Sequence, residues 1–106
     1  MARMEHLLQR TSSMLAIRFA RAAQKALARL PDKHKRQIAA KIQNLRTDPL
    51  PHDSAPMKGK SHHYRRVDIG EYRVIYRVEG EELLIAAAGR RNDDAIYREF
   101  ERSKKR

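Results

Sequence analysis

The stretch GEYRVIYRVEGEELLIAAAGRRNDDAIY, residues 70–97, predicts two paired β-strands and the start of a helix. Two runs rich in β-branched, aromatic and aliphatic residues flank Gly80, which together with its glutamate neighbours marks a hairpin turn. Arginines occur inside the first run and directly after the second. Their positions raise the question of whether the sheet binds an anion as well as forming a core.

The residues before this stretch extend the hairpin. Residues 62–69, HHYRRVDI, form a further strand that turns at Gly70-Glu71 into the next one, so three consecutive strands pair antiparallel. Upstream, residues 13–19, SMLAIRF, alternate between apolar and small or charged side chains, which predicts one more half-buried strand. The sheet is therefore expected to be antiparallel and to have four strands.

Two short helices lie between the first strand and the others. The segment ARAAQKALARL has apolar residues on one face and ends at Pro31, which cannot continue a helix. A second helix follows, with Ile38, Ile42 and Leu45 at helical spacing, and Asp32 is expected to cap its first turn. The two helices form a basic N-terminal hairpin.

The remaining segments complete the predicted order of elements. Residues 47–60 contain three of the four prolines and are expected to form a loop. Asp93 or Asp94 caps a C-terminal helix through DAIYREFERSKKR. The sequence thus predicts an α+β fold, β-α-α-β-β-β-α, in which the N-terminal helical hairpin packs on an antiparallel four-stranded sheet. Residues 14–106 form its single domain, and residues 1–13 form an N-terminal extension.

Charge and composition narrow the class of protein. The net charge is +11 at pH 7, and residues 1–60 hold 13 basic against 4 acidic side chains, which favours a polyanionic partner such as nucleic acid. The chain has no cysteine, which excludes disulfides, thiolate metal sites and a cysteine nucleophile. No apolar run is long enough to span a membrane, so we expect a soluble cytoplasmic protein without a membrane partner.

Several charged side chains are predicted to share one open face of the sheet. Because strand residues alternate between faces, Arg66, Asp68 and Arg73 project from the same side, and either Arg90 or Arg91 reaches that side. Guanidinium groups that converge in this way bind phosphate through paired hydrogen bonds. Alternatively, Asp68 and Arg73 form a cross-strand ion pair with a structural role only. The pattern alone leaves both interpretations open.

Two separated motifs resemble the bacterial RelE/ParE superfamily of toxin-antitoxin toxins. The first is YRRVDIGEYRVIYRV, residues 64–78, and the second is AGRRNDDAIY, residues 88–97. Their order and spacing, the predicted element order and the segment Met57-Lys58-Gly59 all match the pattern of that superfamily. The resemblance covers about residues 14–102.

The resemblance implies a function and a set of site residues. RelE-like members are ribosome-dependent endoribonucleases that cut mRNA in the decoding site, whereas ParE-like members inhibit DNA gyrase. By this resemblance Arg73 is the phosphate-binding arginine, Arg91 is the arginine after the last strand, and Tyr97 is the C-terminal tyrosine. ParE-like chains generally lack that tyrosine, so the three residues together favour RNA cleavage. Arg66 matches an often basic strand position and would bind phosphate or assist proton transfer.

The chemistry of RNA cleavage suits these side chains. Attack of a ribose 2′-hydroxyl on the adjacent phosphate requires removal of a proton, stabilisation of a dianionic phosphorane and protonation of the leaving 5′ oxygen. Arg73 and Arg91 would supply positive charge, and cations favour the ionised form of a nearby phenol such as that of Tyr97. Without the resemblance, the helical spacing of Tyr97 with Ile96 and Phe100 indicates a residue that packs in a core.

One residue departs from the family pattern. RelE-like enzymes commonly have a second basic residue two positions before the glycine of the turn, where this chain has Asp68. A carboxylate at this position repels RNA phosphate unless Arg73 or Arg66 neutralises it. We expect Asp68 to form a salt bridge, and its presence either weakens or rearranges the catalytic set.

Further basic residues are expected to contact the RNA backbone without reading its sequence. They lie in the helical hairpin, in the proline-rich segment and around the site: Lys25, Arg29, Lys33, Lys35, Arg36, Lys58, Lys60, Arg65 and Arg90. A solvated basic surface is the alternative interpretation for the helices. The five histidines show no ligand spacing, so neither a metal ion nor an organic cofactor is expected.

The resemblance and the residues together predict a type II toxin that cleaves mRNA on translating ribosomes as a metal-independent endoribonuclease. Its partners would be the ribosome, mRNA and a cognate antitoxin, which is acidic where it covers the basic surface and forms a hetero-oligomeric complex with the toxin. A ParE-like gyrase inhibitor and a toxin that has lost its activity through Asp68 are the alternatives.

Overall fold

The structure is a computed structural model that describes residues 14–104, and this part of the chain contains five strands and three helices. The strands are β1 (Ala16–Phe19), β2 (Ser54–Pro56), β3 (Arg65–Ile69), β4 (Tyr72–Glu79) and β5 (Glu82–Arg90). The helices are α1 (Arg21–Ala28), α2 (Asp32–Thr47) and α3 (Ala95–Lys104), and a 3₁₀ turn spans Gly59–Ser61. The predicted α+β class is confirmed, whereas the predicted extension, residues 1–13, lies outside the described residues. Among the described helices, none has the length and hydrophobicity that a membrane span requires.

The sheet contains five described strands of mixed direction, in the order β1-β5-β4-β3-β2, so the prediction of a four-stranded antiparallel sheet is wrong. β1 pairs parallel with β5, with Ala16 opposite Glu82, and the chain between them is long enough for the crossover that parallel pairing needs. The additional strand, β2, lies in the proline-rich segment that was expected to be only a loop, and it pairs antiparallel with β3. Because β2 is at the sheet edge, its Pro56 is tolerated there.

The helical hairpin of α1 and α2 covers one face of the sheet and forms the larger core. The buried side chains of this core include Ala23, Ile38, Ile42, Leu45, Val67, Val74, Tyr76, Leu83 and Ile85. Inside it, the Tyr76 hydroxyl donates a hydrogen bond to the Pro49 carbonyl oxygen at 2.8 Å. The expected cap of α2 is wrong, because Pro31 occupies the N-cap position and Asp32, the first helical residue, makes no capping bond there.

Helix α3 packs on the opposite face of the sheet. Its Ile96 and Phe100 are buried against Ile75 and Tyr64, and the rings of Phe100 and Tyr64 meet edge to face with centroids 4.8 Å apart. A bulge in β5 leaves Ala86 without a partner on β4 and places small side chains under the helix. The sequence predicted that this face of the sheet, which carries Arg66, Asp68 and Arg73, is open. Around Ile75 it is instead covered by α3, because the apolar side of that helix packs there.

The turn between β3 and β4 determines which residues of these strands lie opposite each other. Only Gly70 and Glu71 separate the paired residues, and Gly70 has a φ of 60°. A positive φ at the first residue of a two-residue turn is typical of type II′ hairpins and disfavours residues that carry a Cβ. This turn places Asp68 directly opposite Arg73.

Replacement of Gly70 by alanine should lower the free energy of unfolding by about 1–2 kcal/mol, because the left-handed conformation is costly for a residue with a Cβ. Urea denaturation measures this change. Gly89 is the matched control, since its φ is not positive and an added Cβ would lie 3.5 Å from Ile96 Cβ, an ordinary contact. We expect Gly89→Ala to be neutral or slightly stabilising, and an equal loss at both positions would contradict this explanation.

Candidate functional site

Asp68 and Arg73 form the centre of the candidate site. They lie opposite each other on β3 and β4, and Arg73 donates from Nε to Asp68 Oδ1 at 2.7 Å and from Nη2 to Oδ2 at 3.3 Å. Two parallel hydrogen bonds fix the plane of the guanidinium. Only 12% of the Arg73 side chain is exposed, against 34% for Asp68. The salt bridge that was expected of Asp68 is confirmed.

Tyr97 makes the remaining contact with Arg73. It lies in the first turn of α3, and Arg73 Nη1 donates a hydrogen bond to its hydroxyl oxygen. The loop after β5 contains Asp93, whose carboxylate accepts a hydrogen bond from the Ala95 N–H at 2.9 Å and so helps to begin the helix. Because the neighbouring Ile96 is anchored in the core, the helix holds the Tyr97 phenol against the start of β4.

Two further arginines lie beside this group. Arg91 follows β5, where its N–H donates to the Glu71 carbonyl oxygen at 2.9 Å, and its Nη1 is 3.8 Å from Asp68 Oδ2. Arg66 precedes Asp68 by two residues on the same face of β3, and its charge acts on that carboxylate. The structure thus brings four of the sequence-predicted residues together around Asp68, and we call this group the arginine cluster: Arg66, Asp68, Arg73, Arg91 and Tyr97.

The arginines control the ionisation of Asp68. The hydrogen bond from Arg73 holds the pKa of Asp68 below its ordinary value, against the opposing effect of burial, and the charges of Arg91 and Arg66 act in the same direction as the bond. The hydrogen bond to Asp68 in turn raises the pKa of Arg73. The pair therefore stabilises the fold above an unfolded-state pKa of 3.8 for Asp68, and this stabilisation is lost as the pH falls through the lower folded value.

The arginine cluster can bind an anion and exchange a proton. Its three arginines outnumber its one carboxylate, and the Arg91 side chain is 54% exposed, so its donors reach solvent. The Tyr97 oxygen accepts from Arg73, which leaves the hydroxyl proton free to meet a bound ligand. Within residues 14–104, no group of three histidine, aspartate or glutamate side chains is arranged to hold a metal ion.

Two predicted contact residues lie outside the arginine cluster. Arg90 lies over the ring of Tyr72, 5.4 Å from its centroid, and pairs with Glu71 at 3.0 Å. Arg65 donates to the side chain and to the carbonyl oxygen of Ser54 and so holds β2 against β3. Each is the sequence neighbour of a cluster residue, and strand alternation turns it to the other face.

The other predicted contact residues are exposed and lie on different parts of the surface. Lys58 and Lys60 flank the start of the 3₁₀ turn, which adjoins the far end of α3, where Lys104 Nζ donates to Ser61 Oγ at 2.6 Å. The helical hairpin presents a basic surface of five exposed side chains: Lys25, Arg29, Lys33, Lys35 and Arg36. None of these five forms an ion pair with another residue of the range 14–104. Their contact with RNA stays a prediction.

A groove beside Tyr97 contains two arginines that the sequence analysis missed. It has a volume of about 720 Å³ and is lined by Asp94, Tyr97, Arg98, Glu101 and Arg102. Arg98 and Arg102 are one helical turn apart on the exposed side of α3, and their i, i+4 spacing was the available signal in the sequence. Asp94 and Glu101 line the same groove, so the two positive charges face two negative ones.

A second partly buried carboxylate, Glu99, lies on α3. Its Oε1 is buried and has no hydrogen-bond partner among residues 14–104. Burial raises the pKa of Glu99 above the ordinary 4.5, and the nearby Ala88 backbone and the charge of Arg102 partly oppose this shift. The folded protein therefore keeps this proton to a higher pH than the unfolded chain does. Stability accordingly falls as the pH rises through the interval between the two pKa values.

Glu99→Gln should raise the free energy of unfolding at neutral pH and change it little near pH 4, because the buried charge exists only above the folded pKa. Urea denaturation at the two pH values measures the difference. The control is Glu101→Gln on the exposed side of the same helix, which should show no comparable dependence on pH. An effect of Glu99→Gln that is equal at both pH values would contradict the role of burial.

Comparison with known proteins identifies the family. A family profile described as ParE toxin of type II toxin-antitoxin system, parDE, matches residues 17–95, most of the chain. The chain belongs to this toxin family. The RelE/ParE superfamily predicted from two sequence motifs is therefore confirmed. A search of curated protein sequences found no significant match.

Solved structures of RelE toxins share the fold of this RelE/ParE toxin. A RelBE toxin–antitoxin complex of Mycobacterium tuberculosis matches with a TM-score of 0.66 and 22% identity, over 77% of this chain and 97% of that one. A RelE–RelB complex of Pyrococcus horikoshii has a TM-score of 0.65 and 26% identity, over 74% and 97% of the two chains. A mutant Escherichia coli RelE in the free state has a TM-score of 0.71 and 16% identity, over 84% and 96%.

Proposed function

We propose that this RelE/ParE toxin is a ribosome-dependent endoribonuclease that cleaves mRNA and thereby stops translation. The observation that carries the proposal is the contact of Arg73 with the Tyr97 hydroxyl, beside Asp68 and Arg91. This arrangement joins groups that bind anions with a group that can exchange a proton, which is what transesterification of RNA needs. The family profile ends at residue 95, so Tyr97 supports the proposal independently of that match.

In the proposed reaction, a ribose 2′ oxygen attacks the adjacent phosphorus and the bond from phosphorus to the 5′ oxygen breaks. The products are a 2′,3′-cyclic phosphate and a 5′-hydroxyl. Tyr97 in its ionised form takes up the 2′ proton, the arginines stabilise the charge of the phosphorane, and the leaving oxygen takes a proton from solvent. Because the arginines supply the positive charge, the proposed reaction uses neither a metal ion nor an organic cofactor.

The proposed partners are a cognate antitoxin, the ribosome and its mRNA, which places the toxin in the cytoplasm. The relatives from M. tuberculosis and P. horikoshii were solved as toxin–antitoxin complexes, which supports a hetero-oligomeric complex here. The exposed basic side chains of the helical hairpin would contact the backbone of ribosomal RNA, or an acidic surface of the antitoxin.

A second candidate function is inhibition of DNA gyrase. The observation in its favour is that the matching family profile is the one described for ParE toxins. In that case the arginine cluster would contact a protein, and the Tyr97 hydroxyl would be dispensable. A toxin whose catalysis is abolished by Asp68 is the remaining alternative, because a carboxylate beside Arg73 competes with a phosphate for positive charge.

An experiment with programmed ribosomes distinguishes these functions. The purified toxin is incubated with ribosomes that hold a defined mRNA, primer extension maps the mRNA ends, and plasmid supercoiling by gyrase is assayed with the same preparation. We expect new mRNA ends with the wild type, none with Arg91→Ala, and unchanged supercoiling. Intact mRNA with blocked supercoiling would establish the gyrase inhibitor, and intact mRNA with normal supercoiling would establish the inactive toxin.

A further inference from the structure

We propose that Asp68 is an internal competitor of RNA phosphate, whose carboxylate occupies the edge of Arg73 that a phosphodiester would otherwise bind. The inference rests on the proposed function, in that the ligand of the cluster is taken to be RNA. It assigns to Asp68 a role in setting affinity: the free toxin binds RNA weakly, and a phosphate has full access to Arg73 only after Asp68 has moved away.

The hydrogen bonds of Arg73 use three of its five N–H groups. The Nε–Nη2 edge, which offers two parallel donors, is taken by the two oxygens of Asp68. Nη1 donates to the Tyr97 hydroxyl. A phosphate that binds Arg73 through the Nε–Nη2 edge must therefore displace Asp68, whose paired oxygens a phosphate imitates.

The burial of the two side chains shows which of them can move. Arg73 is 12% exposed and is enclosed between its strand and α3, so it has little freedom to turn another edge toward solvent. Asp68 is 34% exposed, and its second bond to Arg73, at 3.3 Å, is long. The carboxylate can therefore rotate outward, toward Arg91, whose Nη1 already lies 3.8 Å from it.

The charges around Asp68 have a direct consequence for RNA binding. Arg73, Arg91 and Arg66 all face this carboxylate, and together they stabilise its charged form. A phosphodiester placed among the same arginines would meet a negative charge at short distance, which weakens its binding. Removing the charge of Asp68 should therefore strengthen the binding of free RNA, although Arg73 would lose a partner.

The test is the affinity of the toxin for a single-stranded RNA that it cannot cleave. The probe is a fluorescein-labelled oligonucleotide with 2′-O-methyl groups at every ribose, and its anisotropy is followed during titration. The matched control for Asp68→Asn is Glu71→Gln, which also removes one carboxylate from an ion pair, with Arg90, on the adjacent turn. Asp68→Ser is a second variant in case the asparagine disturbs the fold, and circular dichroism checks that each variant is folded.

We expect Asp68→Asn or Asp68→Ser to bind the RNA at least about fivefold more tightly than the wild type, because the paired donors of Arg73 become available to a phosphate. Glu71→Gln should bind it nearly as the wild type does. The gain should also disappear when Arg73 is replaced by methionine, since the competition is for that guanidinium. The inference would be overturned if the Asp68 and Glu71 variants had equal affinities for the RNA, or if the Asp68 variants bound it more weakly than the wild type. It would also be overturned if the gain in affinity persisted without Arg73, or if no variant bound the RNA.

The outcome is separable from that of the proposed function, because the probe is not cleaved and no ribosome is present. If the Asp68 variants bind RNA more tightly but mRNA stays intact on ribosomes, the proposed ribonuclease fails and the competition stands. If mRNA is cleaved on ribosomes but the Asp68 variants bind RNA as Glu71→Gln does, the ribonuclease stands and the competition fails.

Discussion

Tyr97→Phe should slow mRNA cleavage on programmed ribosomes by about 100-fold or more, the size expected for the loss of a general acid–base group. The substitution removes the hydroxyl that Arg73 contacts and leaves the ring on α3. The fold should therefore be preserved while the proton acceptor of the proposed reaction is lost. Primer extension at a series of times gives the cleavage rate, and the urea midpoint shows whether stability has changed.

Tyr72→Phe is the matched control for this prediction. Tyr72 is buried on the other face of the sheet, where its ring packs near His34 with centroids 4.9 Å apart. The Tyr72→Phe variant also loses a phenolic hydroxyl group, but on the face of the sheet away from the arginine cluster. Its cleavage rate should therefore equal that of the wild type. Similar rates for the two variants, or a Tyr97→Phe rate close to that of the wild type, would remove Tyr97 from the proposed mechanism.

Phe100→Ala should lower the free energy of unfolding by about 3–5 kcal/mol, a large part of the stability of a small domain. Phe100 is only 2% exposed and fills the contact between α3 and the sheet, with Tyr64 and Ile75 beside it. Its removal leaves a cavity under the helix that carries Tyr97. We therefore expect mRNA cleavage to fall as well, although no residue of the arginine cluster is changed.

Urea denaturation followed by circular dichroism measures the effect of Phe100→Ala. Leu50→Ala is the control, because Leu50 is 64% exposed and its truncation removes little buried surface. The two substitutions should differ by several kilocalories per mole in this assay. A small effect at Phe100 would mean that α3 is not held on the sheet by this side chain.

The geometry of the arginine cluster follows largely from local sequence. Alternation along β3 and β4 places Asp68 and Arg73 on one face, and the two-residue turn at Gly70 sets them opposite each other. The ion pair could therefore be predicted from the sequence. The position of Arg91 directly after a strand left the choice between it and Arg90. Alternation along the sequence does not decide this choice, because the bulge in β5 shifts the pattern by one residue; the pairing of Arg90 with Tyr72 decides it.

Long-range features were harder to predict. A strand's alternation does not reveal its direction, so nothing in SMLAIRF distinguished parallel pairing of β1 with β5 from antiparallel pairing. The three residues of β2 are too few to show a period among prolines. The spacing of Ile96 and Phe100 predicts an apolar helix face, but where this face docks depends on the exposed apolar surface of the sheet around Ile75.

The contact between Arg73 and Tyr97 joins these two kinds of feature. Arg73 is positioned by the register of β3 and β4, whereas Tyr97 is positioned by the packing of α3 against Ile75 on the same face of the sheet. If the two groups act as one unit in cleavage, the loss of either should remove most of what the other contributes.

A double-mutant cycle for mRNA cleavage on programmed ribosomes tests this central claim most directly. The rates of the wild type, Arg73→Met, Tyr97→Phe and the double variant are compared under the same conditions. We predict that both single variants are severely slowed and that the double variant is no slower than the slower of the two. If the double variant is slowed by the product of the two factors found for the single variants, the two residues act independently. This result, or a wild-type cleavage rate in either single variant, would contradict a shared catalytic role of Arg73 and Tyr97.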